Sequence, residues 1–113
     1  MTKVRYAKAT RTAVIDGKLD TKTDIPFTFT EVGRTNCAVF YTIREEGTSP
    51  KDGQAILDLV KDELSIIYKG QTSYAPQEAS VFGVLYKRNG KYRGTRFVDE
   101  GGACNLFELK FCC

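Results

Sequence analysis

Ser49-Pro50-Lys51-Asp52-Gly53-Gln54-Ala55-Ile56-Leu57-Asp58-Leu59-Val60-Lys61-Asp62-Glu63-Leu64-Ser65-Ile66-Ile67-Tyr68-Lys69-Gly70 is the stretch on which the fold turns. Its beginning reads as a helix start. Ser49 stands three residues before Asp52 in the manner of a capping box, and Pro50 takes the first helical position, where its missing N–H would be unpaired anyway. Its end reads as a stop, with Lys69 in the last turn and Gly70 suited to the left-handed residue that closes a helix. Wound at helical pitch, Ile56, Val60, Ile67, Leu64, Leu57 and Tyr68 gather on one side, and Leu59, Ile66 and Ala55 carry the apolar arc past half the circumference. The spacing therefore predicts an amphipathic helix over 50–69, about 30 Å long. An arc that wide has to be covered on both flanks, by a curved sheet or by a second subunit. Glu63 falls inside it, where a carboxylate is costly unless it reaches the edge of the core or meets a cation.

Strand patterns flank this segment. Residues 4–15 are rich in Val, Tyr, Thr and Ile and run into Asp16-Gly17, a hairpin dipeptide. Ile25, Phe27 and Phe29 alternate with Pro26, Thr28 and Thr30, and the proline suggests a strand start or an edge. Val39, Tyr41 and Ile43 share one face of a strand over 37–43. Beyond a loop around Pro76, residues 81–88 and 91–98 are joined by Asn89-Gly90, the strongest hairpin signal in the chain. Gly101-Gly102 then turns into a last strand in which Phe107, Leu109 and Phe111 alternate with Glu108 and Lys110. The expected fold class is α+β: a bent antiparallel sheet or small sandwich with the 50–69 helix packed across it, in the order β-rich, helix, β-rich. At 113 residues, without repeats or a linker, residues 1–113 read as a single domain.

Several function classes are argued down by composition. There is no histidine, so the commonest general base and the orienting member of Ser and Cys triads are missing. No phosphate-binding glycine loop and no carboxylate cluster of metal-site type occurs, and the reading is non-enzymatic, with no cofactor, metal or small-molecule substrate. Cys37, Cys104, Cys112 and Cys113 have no zinc-site spacing and are read as free buried thiols, with a Cys37–Cys104 bridge or pairing between copies through the C-terminal cysteines as alternatives. No apolar run is long enough for a membrane helix and no secretory leader pattern opens the chain. The expected location is accordingly intracellular, or within a virion if the chain is a particle component.

Charge supplies the positive signal. The net charge is only +3, but the cations are grouped. Tyr86, Lys87, Arg88, Lys91, Tyr92, Arg93 and Arg96 surround the Asn89-Gly90 turn without an acid among them, and Lys3, Arg5, Lys8 and Arg11 do the same near the N-terminus. A ribbon of this kind can follow phosphates with Lys and Arg while a tyrosine stacks on a base. Lys3, Arg5, Lys8 and Arg11 extend the surface if the first strand lies beside the hairpin, with Arg5 and Arg11 bracketing Ala7 and Ala9. The expectation is a macromolecule-binding module that contacts nucleic acid through this basic β-hairpin. Two alternatives stand beside it. A self-assembling structural subunit, such as a viral or phage particle component, would form a dimer or larger homo-oligomer through Phe107, Leu109 and Phe111. A protein-binding inhibitor or adaptor would offer a strand edge. The passage from Phe40-Tyr41-Thr42-Ile43 into Ile56-Leu57-Asp58-Leu59-Val60 resembles the strand-to-helix passage of small viral shell proteins, over a stretch too short to transfer residue roles.

Overall fold

The computed structural model describes residues 3–15, 17–47, 50–69, 80–98 and 104–112. They form eight strands: β1 (Val4–Ile15), β2 (Lys18–Arg34), β3 (Ala38–Glu45), β4 (Lys51–Asp58), β5 (Glu63–Lys69), β6 (Ser80–Arg88), β7 (Lys91–Val98) and β8 (Cys104–Phe111). Each pairs antiparallel with the next, and β8 returns to β1, so the sheet closes on itself as a barrel. The expected α+β class is thereby corrected to all-β, and the bent sheet or sandwich to a closed barrel. None of the described residues is helical.

The predicted 50–69 helix is in fact β4, a turn over residues 59–62, and β5. Gly53, Ala55 and Leu57 point inward and are buried, and Gln54 and Ile56 point outward. Leu64 and Ile66 resume the inward pattern, each wholly buried. The turn has its own chemistry. The Asp58 carboxylate accepts the N–H groups of Val60 at 2.9 Å and Lys61 at 3.0 Å, and Asp62 takes a left-handed φ of 53°. The excess width of the apolar arc has its reason here. Two short period-two strands with apolar residues on both faces spread round most of a helical wheel, whereas a helix lying on a sheet needs only a stripe. Glu63, misplaced on the wheel, belongs to the outward set of β5, opposite Asp58 on one side and Tyr86 on the other. The capping residues Ser49 and Gly70, the loop around Pro76 and the Gly101-Gly102 turn lie outside the described residues. The resemblance to viral shell proteins falls with the helix that carried it.

Small and large inward residues alternate around the barrel, and this is what lets eight strands close over a filled interior. Ala7 of β1 sits opposite Phe111 of β8, and Ala9 opposite Leu109. The interior is filled chiefly by Phe27, Phe29, Phe107, Leu64, Ile66, Leu85, Leu109 and Val39, all wholly buried. Phe29 meets Tyr41 and Phe111 edge-to-face, with ring centroids 5.5 and 4.9 Å away. At Gly94 the closure is tightest, because a Cβ there would lie 2.6 Å from the Val84 carbonyl oxygen and 2.7 Å from the Leu85 side chain. Only glycine allows β7 to approach β6 this closely.

Pro26 falls within β2 rather than at its start. It lies beside the register shift between Ala9 and Arg11, where Asp24 adopts a left-handed φ of 55°. A strand that bulges can accept a residue with no N–H to give. Phe107, Leu109 and Phe111, expected at an interface between copies, instead face the barrel interior, the first two wholly buried and Phe111 partly so. Both edges of β8 are taken, by β7 and by β1, so this strand has no open edge on which a second copy could complete a sheet. Cys37 and Cys112 are free but exposed, not buried, which also removes the Cys37–Cys104 bridge.

Candidate nucleic-acid interface

The β6–β7 hairpin turns on Asn89 and Gly90, with φ of 53° and 78°. Two successive left-handed residues match the twist of the strands they join and fix their register. Arg88 is thus set opposite Lys91, Lys87 opposite Tyr92, and Tyr86 opposite Arg93. Leu85, Tyr92 and Gly94 take the inward positions, so Tyr86, Arg88, Lys91 and Arg93 point outward. The next pairing places Tyr92 opposite Leu109 and Arg93 opposite Glu108, which brings Lys91 beside Lys110. On the far side of β8, Lys110 pairs with Lys8 of β1.

Arg88, Lys91, Lys110 and Lys8 therefore form one row across β6, β7, β8 and β1, spanning about 14 Å at the usual strand spacing. All four are exposed, and none has an ion-pair partner among the described residues. Like charges directly opposite one another on a sheet are destabilising, so the row is held at a cost to the fold. Two acids lie nearby without pairing to a cation of the row among the described residues. Glu108 lies 3.8 Å from Arg93, one pleat step away. Asp24 and Glu108 stand with Lys8, Lys91, Lys110 and Thr10 around a shallow groove of about 430 Å³ on the outer face. Tyr86 is 56% exposed and Tyr6 is 61% exposed; each lies two residues from the row on the same outer face, Tyr86 beyond Arg88 and Tyr6 beyond Lys8.

The other residues singled out in the sequence are dispersed. Lys87 is exposed at the rim, and its N–H donates to the Asp62 carbonyl at 3.1 Å. Tyr92 is inside the barrel, edge-to-face with Phe111 at 5.9 Å, and offers no ring to a base. Arg5 lies at the hairpin end of the barrel with its guanidinium 3.8 Å above the Phe111 ring. Arg11 is at the opposite end, paired with Glu45 at 2.8 Å and 5.6 Å from the Phe107 ring. Both arginines follow the inward phase of Ala7 and Ala9 at the two ends of the core, Arg5 exposed at the hairpin end and Arg11 half-buried at the other. The side chain of Arg96 lies outside the described residues.

Lys110 is absent from the site expected from the sequence, and Lys8 is expected there only as one of four N-terminal cations that extend the surface if the first strand lies beside the hairpin. The signal for them was local: Lys8 stands between two small inward alanines, and Lys110 between Leu109 and Phe111. What the sequence lacked was the closure of β8 on β1 that makes them neighbours.

Burial holds the Tyr92 phenol above its ordinary value of 10.0, with the Asp62 carboxylate adding to the effect and Arg5 opposing it. The folded chain thus keeps the phenolic proton where the unfolded chain has lost it. Stability from this group is intact below pH 10 and declines as pH rises through the folded value. In urea titrations, the loss of stability on moving from neutral pH to above pH 10 is expected to be smaller for Tyr92→Phe than for the unaltered chain.

On the side of the barrel opposite the cation row, Phe40 and Ile56 face each other directly across β3 and β4. They are 37% and 38% exposed, and Val32, Leu59 and Val60 add further exposed apolar surface. Among the described residues no group of acidic or cysteine side chains is placed to hold a metal ion. Comparison of the chain with protein-family models, curated proteins and solved structures finds no match.

Proposed function

We propose that the protein is a non-enzymatic nucleic-acid-binding module whose contact surface is the outer face of β6, β7, β8 and β1. The observation that carries this reading is the row of Arg88, Lys91, Lys110 and Lys8, four cations placed opposite one another with no acid in the row. A fold gains nothing from such a row by itself, whereas a polyanion laid across it releases counterions from each phosphate it brings to a cation. The groove beside the row and the exposed rings of Tyr86 and Tyr6 add contact area of the kind that sugars and bases use.

The test is the affinity for oligonucleotides as a function of salt. Contacts at all four cations give a log–log slope of about −3, so affinity falls roughly 50-fold between about 50 and 200 mM salt. A flat salt profile would remove the reading. The apolar pair Phe40 and Ile56 favours a second one, self-association through the opposite face, whose signature is a salt-stable oligomer in light scattering.

A further inference from the structure

We infer that the nucleic acid recognised by this surface is single-stranded and crosses the strands, following the cation row around the barrel with a base stacked on Tyr86. This inference rests on the nucleic-acid reading above and adds the form of the ligand to it.

The first argument is curvature. The row passes over three of the eight steps of a closed barrel; because the strands tilt by about 40° it climbs as it goes round, and the outward direction turns by roughly 80° between Arg88 and Lys8. A double helix is straight on this scale, its persistence length being about 150 base pairs. Laid on a convex surface that turns so sharply within about 14 Å, it touches the crest and leaves the ends of the row in solvent. Roughly two of the four cations then meet phosphates. A single strand has freely turning backbone bonds and can bend over the same arc to meet all four.

The second argument is the placement of the aromatics. Tyr86 projects from the outer face one pleat step from Arg88, and its ring is more than half exposed. It is opposite Glu63 on β5 and Arg93 on β7, and no other aromatic ring covers it among the described residues. A phenol ring left open beside a phosphate track is a platform for an unpaired base, since every base has a face to offer and base pairing hides those faces within a duplex. Tyr6 holds the matching position at the Lys8 end, on the other side of the row. A strand entering over one ring and leaving over the other crosses all four cations on the way.

The experiment compares the unaltered protein with Tyr86→Ala and Tyr86→Phe, using oligouridylate, oligothymidylate and a blunt duplex with the same number of phosphates. Both single strands are expected to show a salt slope of about −3, and the duplex about −2. Tyr86→Ala is expected to weaken single-strand binding about tenfold and to leave duplex binding unchanged, while Tyr86→Phe keeps the single-strand affinity. Thermal melts of the two variants confirm that an exposed side chain has been altered without loss of fold. Equal affinity and slope for duplex and single strand, with Tyr86→Ala indistinguishable from the unaltered chain, would overturn this inference while the nucleic-acid reading stands. The absence of salt-dependent binding to all three probes would overturn both. Preference for one of the two single strands, which differ in the 2′-hydroxyl and in the thymine methyl, would support the inference as long as both bind more tightly than the duplex.

Discussion

Replacing Phe29 by alanine is expected to cost about 3–5 kcal/mol of folding stability, a large share of the total for a domain of this size. Phe29 has no solvent exposure. It contacts Phe27 at 6.3 Å, Tyr41 at 5.5 Å and Phe111 at 4.9 Å between ring centroids, so truncation removes three aromatic contacts together. The cavity left behind has little means of collapsing. Its walls are strands tied on both edges, and a closed barrel cannot slide one strand inward without breaking register with two neighbours. Equilibrium urea unfolding followed by circular dichroism measures the effect. A loss below about 1 kcal/mol would mean that the interior is loosely packed and that the aromatic contacts described above do not hold the barrel.

Much of the strand pattern was legible because period two is a local signal. The alternation at Ile25, Phe27 and Phe29, the run of Val39, Tyr41 and Ile43, the Asn89-Gly90 turn and the last strand around Phe107 all recur in the structure. Residues 50–69 were misread because helix and strand signals overlap there. Ile56, Leu57, Leu59 and Val60 satisfy both periods over one turn, and Ser49-Pro50 with Asp52 imitates a helix start. Two features argued the other way. The apolar arc was too wide, and Gly53 stood inside the proposed first turn, where it weakens a helix by about 1 kcal/mol relative to alanine. In the barrel Gly53 is an inward residue of β4, one of the small residues that leave room for the phenylalanines.

The site was legible in part for a different reason. The tip residues Tyr86, Arg88, Lys91 and Arg93 could be placed from the hairpin alone. Tyr92 could not be separated from them without knowing which face of β7 is inward, nor could Arg11, which shares the phase of the buried alanines and is half-buried beside Glu45, whereas Arg5 is exposed. Lys8 and Lys110 became members of the row only through a pairing between residues at the two ends of the chain. Contacts of that range follow from closure, which no local pattern encodes.

Reversing the charge of Lys110 is expected to have opposite effects on folding and on binding. Lys110 sits between Lys91 and Lys8, so Lys110→Glu turns two like-charge neighbours into two opposite-charge pairs. At exposed positions this change is worth little, roughly 0.5 kcal/mol in favour of the folded state. For binding, the same substitution removes the central phosphate contact and sets a carboxylate in the path of the strand. Affinity for a single-stranded oligonucleotide is expected to fall at least about tenfold at low salt, with a shallower salt slope. The combination separates a functional row from a solvated face, because a merely structural lysine would not weaken binding while its replacement strengthened the fold.

The most direct measurement is the affinity of Lys110→Glu for oligouridylate at low salt, set beside that of Lys18→Glu. Lys18 is an exposed cation at the start of β2, paired with Ile15 seven residues along β1 from Lys8 and so about 23 Å from the row, and its reversal changes the net charge by the same amount. A loss of about tenfold or more for Lys110→Glu, with a much smaller loss for Lys18→Glu, is the predicted result. Equal losses for the two would show that the nucleic acid responds to the net charge of the protein and has no seat on the row of Arg88, Lys91, Lys110 and Lys8.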